Sequence, residues 1–87
     1  MIWTETSSGL FPSETARVGP WTLTLWQSWR GCGWSVAAPD RRFIDGIEET
    51  LGAARAAAAA AVLARARDGD LSAHERAALT VTTQQRD

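Results

Sequence analysis

The sequence predicts an α+β domain of two layers, a small antiparallel sheet of three to four strands packed on one long helix, with a short helix at the C-terminal end. Three observations predict it. Trp21 to Arg30 alternates between apolar and polar side chains, the period of a half-buried strand. Asp45 to Arg67 is alanine-rich and carries no polar side chain between Ala56 and Ala64, so it reads as a helix covered on more than one side. Ser72-Ala73-His74-Glu75 has the spacing of a capping box and marks a second helix start. The whole chain, 1–87, is expected to form one domain: an N-terminal strand and loop over 1–20, a β-hairpin and third strand over 21–44, the long helix over 45–68, the short helix over 72–79, and a tail over 80–87.

Met1 to Thr6 is expected to form an edge strand, with Ile2 and Thr4 on one face and Trp3 on the other. Thr6 to Pro20 is rich in Ser, Gly and Pro and is expected to be a loop, with Leu10 and Phe11 docking on the core. In the first long strand, Trp21, Leu23, Leu25, Gln27 and Trp29 share the core side, and Trp26 falls among the Thr and Ser residues of the other. Gly31-Cys32 is expected to make a two-residue turn, which sets Trp29 opposite Trp34, Gln27 opposite Val36 and Leu25 opposite Ala38. Pro39-Asp40 turns the chain again, and Arg41 to Ile44 makes a third strand with either Phe43 or Ile44 inward.

Asp45 and Glu48 have the spacing of an N-cap with its partner, and Gly69 suits the C-terminal end. Those limits give a helix of about 22 residues, roughly 33 Å long. Glu48 and Glu49 would lie in its first turn and Arg65 and Arg67 in its last, both favourable to the helix dipole. Ile47, Leu51, Ala54, Ala58, Ala61 and Val62 form the stripe assigned to the sheet. The opposite stripe, Gly52, Ala56, Ala60 and Leu63 with Ala59, admits a close neighbour, either the C-terminal helix or a second subunit in a homodimer. Leu71, Ala77 and Leu79 are the expected contacts of the short helix. Thr80 to Asp87 is expected to be a short strand or a frayed tail.

Composition narrows the function classes. A chain of 87 residues buries only about 60–65% of its unfolded surface, so its five tryptophans carry much of the core. A net charge of −1 argues against general affinity for nucleic acid and against mimicry of DNA. All nine basic residues are Arg. The single cysteine, Cys32, excludes an internal disulfide and suits a reducing cytoplasm. Neither a signal peptide nor a membrane span is expected, so the location read from the sequence is cytoplasmic.

Chemistry-bearing motifs are sparse. His74 is the sole histidine, and Glu75 beside it is committed to the cap. Cys32 is expected at an exposed turn, able to cross-link two molecules in air. One Cys and one His do not make a metal site, so no metal, no cofactor and no enzymatic activity are expected. Trp26 with Arg30, Arg41 and Arg42 is the candidate partner-binding set, because exposed aromatics near arginines concentrate at interface centres. Cover of Trp26 by the N-terminal strand or loop is the alternative.

The run Gly33-Trp34-Ser35-Val36-Ala37-Ala38-Pro39-Asp40, then Phe43-Ile44-Asp45-Gly46, then an Ala-rich helix, resembles in layout a group of small phage and prophage proteins. Some proteins of that make-up are anti-CRISPR proteins. The resemblance covers Trp21 to Arg67. It implies a non-enzymatic inhibitor that binds a host protein complex, such as a Cas subunit, in the host cytoplasm. The alternative function is a small nucleic-acid binder using the hairpin arginines, although Arg55, Arg65 and Arg67 do not share one helix face.

Overall fold

The computed structural model describes residues 2–5, 13–67 and 69–84. It contains a five-stranded antiparallel sheet and two helices, an α+β fold with a larger sheet than expected. The strands are β1 (Thr4–Glu5), β2 (Ser13–Val18), β3 (Trp21–Ser28), β4 (Gly31–Ala37) and β5 (Phe43–Glu48), adjacent in space in chain order. The helices are α1 (Leu51–Arg65) and α2 (Ala73–Thr83). α1 packs across β3, β4 and β5, and α2 packs on α1.

Strand β2 corrects the expected loop. Its serine and threonine resemble turn formers, but the segment alternates: Glu14, Ala16 and Val18 face the helices, opposite Leu25, Leu23 and Trp21. The inward Glu14 hides the pattern, and Arg55 of α1 resolves its charge by gripping both carboxylate oxygens, the Nη2–Oε2 distance being 2.6 Å. Trp3, half-buried against the same core, lies 5.8 Å from the Arg55 guanidinium. Leu10 and Phe11 lie outside the described residues.

The β3–β4 hairpin keeps the expected faces and changes the register. Its turn residues are Trp29 and Arg30, not Gly31 and Cys32. Gly31 follows them with φ 130. Leu25 therefore stands opposite Trp34, and Leu23 opposite Val36. The shift moves β4 by four residues, an even number, so no side chain changes face. The gain is central burial: Leu23, Leu25 and Val36 become fully buried. Each contributes about 1.5–3 kcal/mol on that account. Trp29, expected on the core side, is in the turn and exposed, and Gln27 is exposed as well.

The third strand is longer than expected, and the helix after it starts later. Asp45, Gly46, Ile47 and Glu48 belong to β5 and pair with β4, so Asp45 is not a helix cap. Gly46 is the residue that makes this work. A Cβ there would meet the Trp34 indole at 2.8 Å, and the indole Nε1 donates to Glu48 Oε2 at 3.3 Å. Ile44 faces the helix layer and Phe43 faces away. Thr50 caps α1, its hydroxyl accepting from Ala53 N at 3.1 Å. The helix has 15 residues and no acidic residue in its first turn. It ends at a cap on Ala66, before Gly69 and Arg67, with Arg65 alone in the last turn.

The second capping box forms as expected. Ser72 Oγ accepts from Glu75 N, and Glu75 Oε1 accepts from Ser72 N at 2.8 Å. The Ser72 backbone N–H, foremost, holds the Glu75 carboxyl below its ordinary value, with a smaller contribution from the Gly19 backbone. A lowered carboxylate stabilises the fold above its unfolded pKa and loses that effect as pH falls through its folded value. α2 runs on through Thr83, so Thr80 to Thr83 is helix rather than strand or tail. Leu71 and Leu79 are buried, but Ala77 is exposed.

The start of α1 gives the sharpest check. Thr50→Ala is expected to cost about 1 kcal/mol in denaturant unfolding through loss of the cap. Asp45→Ala, at the position the sequence nominates, is expected to change stability by less than about 0.5 kcal/mol, as for an exposed residue without a structural role.

Candidate interaction surface

Both helices lie on one side of the sheet, and among the described residues its other side carries no helix. Pairing places the side chains there in rows across the strands. One row runs Ser13, Trp26, Gly33, Ile47. The middle row runs Thr4, Thr15, Thr24, Ser35, Asp45. The third runs Arg17, Thr22, Ala37, Phe43. Hydroxyls and a carboxylate fill the centre, and large apolar groups stand at two corners.

The Trp26 corner is built by a glycine. A Cβ on Gly33 would run into the Trp26 indole, so the ring lies across β4 and reaches toward Ile47. Packing on Gly33 leaves Trp26 36% exposed, and Ile47 beside it is 54% exposed. Trp29, at the adjoining turn, is 91% exposed, and Phe43 at the far corner is 73% exposed. The exposed aromatic and aliphatic groups thus stand at the corners of a face whose centre is polar.

The structure divides the expected binding set. Trp26 and Arg30 share the β3–β4 turn end of the sheet, and Arg41 and Arg42 lie at the other end beside Phe43. Arg41 has φ 70 in the β4–β5 turn. Arg42 forms an exposed ion pair with Asp40 at 3.4 Å. Phe43, Ile47 and Trp29 belong to the surface and were not nominated by the sequence. The alternation of Phe43, Asp45 and Ile47 was visible, but a helix starting at Asp45 concealed it.

A cleft of about 620 Å³ opens at the Arg42 end, walled by Trp21, Pro39 and Phe43 and rimmed by Arg42, Arg65 and Arg67. The buried Trp21 Nε1 has no hydrogen-bond partner among the described residues. The stripe considered for a second subunit is divided: Gly52 is buried, Ala56 and Leu63 are half-buried, and Ala60 is exposed.

Cys32 is buried in β4, opposite Gln27 and Glu48, and not at an exposed turn. This overturns the expected cross-linking thiol. His74 is exposed at the start of α2. Among the described residues, no three His, Cys, Asp or Glu side chains gather as a metal site, and no helix is long and apolar enough to cross a membrane.

Comparisons with protein-family models, with curated proteins and with solved structures found no match to this chain.

Burial makes Cys32 chemically quiet. Under native conditions a thiol-specific reagent is expected to label it at least about a hundredfold more slowly than in denaturant, because reaction waits on opening of the sheet. Labelling at the rate of a free thiol would contradict its placement.

Proposed function

We propose that this chain is a non-enzymatic protein-binding module whose recognition surface is the helix-free face of the sheet. The observation that carries the reading is the exposure of Trp26, Ile47 and Phe43 on that face. A partner covering them would desolvate aromatic and aliphatic anchors around a hydroxyl-rich centre, the mixture found at protein interfaces. Arg30 at one end and Arg42 at the other would supply the polar rim. The net charge of −1 favours a protein partner over a polyanion. Cys32 and His74, the residues best suited to supply a nucleophile or a base, sit on different elements, one buried in β4 and one exposed on α2.

The narrower form of the proposal is a phage-type inhibitor that occupies a subunit of a host complex, such as a Cas protein. Its support is the layout of Trp21 to Arg67, the hairpin, short strand and alanine-rich helix described above.

The test compares captures from a host lysate by the wild-type chain, by Ile47→Glu, and by Ala77→Glu on the exposed side of α2. A partner recovered by the wild type and by Ala77→Glu, and weakened roughly tenfold or more by Ile47→Glu, is the expected result; tenfold corresponds to about 1.4 kcal/mol. Recovery that is indifferent to Ile47→Glu would remove the sheet face as the recognition surface.

A further inference from the structure

Among the described residues, strand β5 is an edge of the sheet, paired on one side only. The hydrogen bonds at its turn reveal which of its backbone groups look outward. Ala38 N donates to Arg42 O at 2.9 Å, and Arg41 N donates to Ala38 O at 3.0 Å. The Ala38–Arg42 bond places these two residues on the hydrogen-bonded side of the ladder, with Arg41 N closing the turn and Arg42 N donating to Asp40 Oδ1 at 3.1 Å. The antiparallel alternation carries this to Val36–Ile44, Trp34–Gly46 and Cys32–Glu48. The backbone N–H and C=O groups of Phe43, Asp45 and Ile47 consequently point away from β4, along a free edge.

The side chains along that edge are self-complementary. Arg41 and Arg42 stand at its start, and Glu48 and Glu49 at its end. We propose that β5 pairs antiparallel with β5 of a second copy of this chain, about a two-fold axis at Asp45, joining two sheets into one. In that register Phe43 faces Ile47 of the second copy, Arg42 faces its Glu48, and Arg41 faces its Glu49. Every outward backbone group of the strand is used. An isologous contact closes on itself, as a two-fold dimer requires.

Other registers fit worse. A slip of one residue sets helix-side residues against open-face residues. Changing the sum of paired residue numbers by two places Phe43 against Asp45 in one direction and Asp45 against Ile47 in the other, and both lose the Arg42–Glu48 match. The proposed register carries one cost, Asp45 directly opposite Asp45, a like-charge pair that weakens association. Its charge partners are accessible. The Arg42 and Asp40 side chains are 85% and 61% exposed, so their ion pair holds Arg42 weakly. Glu48 accepts from Trp34 through Oε2, and Oε1 is left to receive the guanidinium of the second copy. The pairing lies at the edge, leaves the open face of each copy clear, and does not rest on the partner proposed above.

The test is sedimentation equilibrium of the full chain at low salt, at concentrations up to ~1 mM, a range that resolves weak dimers. Arg42→Glu, which alters two pairs, is expected to weaken dimerisation about tenfold or more, and Asp45→Asn, which relieves one, to tighten it about threefold. Chains carrying Arg42→Glu and chains carrying Glu48→Arg should each associate poorly alone and associate when mixed, because the mixture restores opposite charges at both ends. Should Glu48→Arg unfold through loss of the Trp34 hydrogen bond, the other two variants still decide the matter in opposite directions. Monomer throughout for both wild type and Asp45→Asn would overturn the proposal. So would a dimer indifferent to Arg42→Glu, or one abolished by Ala60→Glu instead.

Discussion

The structure depends on a fit between large side chains on the sheet and almost none on the helix. Leu23, Leu25, Trp34 and Val36 rise from β3 and β4, and Ala54, Ala58 and Val62 of α1 come down on them. All three of these helix residues are fully buried. Alanine here sets the distance between layers: a short chain gains its core from the sheet's indoles and leucines, and α1 must approach closely to cover them. Ala59 is buried as well, and α2 packs on α1, so the buried arc of the helix is wider than one sheet contact requires.

Glycine extends the same logic to the sheet. Trp34 lies over Gly46 on the helix side, and Trp26 lies over Gly33 on the open side. Each indole covers a neighbouring strand where a side chain is missing. On the covered side this completes the core and ties Trp34 Nε1 to Glu48. On the open side it leaves Trp26 and Ile47 as a ready apolar corner. One-sided cover thus sets the two faces apart: the helices bury one, and the other keeps Trp26, Ile47 and Phe43 exposed among the described residues.

The faces of the sheet were legible from period-two alternation, and the inward set Trp21, Leu23, Leu25, Trp34 and Val36 follows from it. The hairpin register was not. Glycine at position 31 suggests a turn, but its positive φ is used just after the turn, and central burial of Leu23 and Leu25 selects the alternative pairing. The helix start failed for a similar reason. Asp45 and Glu48 imitate a cap, and Gly46 weakens any local preference for a strand. Pairing with β4 and the seat for the Trp34 indole override both, signals that lie far away in sequence. The second cap, Ser72 to Glu75, was legible because all of its interactions are local. Of the candidate surface, Trp26 was legible by parity. Phe43 and Ile47 emerged only once β5 had its true length.

The layered fit is tested most directly by enlarging one alanine on each side of α1 and measuring unfolding in denaturant. Ala58→Leu, at a fully buried position, is expected to destabilise the chain by about 1–3 kcal/mol, because the layers cannot separate locally. Ala60→Leu, on the exposed side of the same helix, is expected to stay within about 0.5 kcal/mol of the wild type. Equal effects at the two positions, or tolerance of leucine at Ala58, would contradict the account.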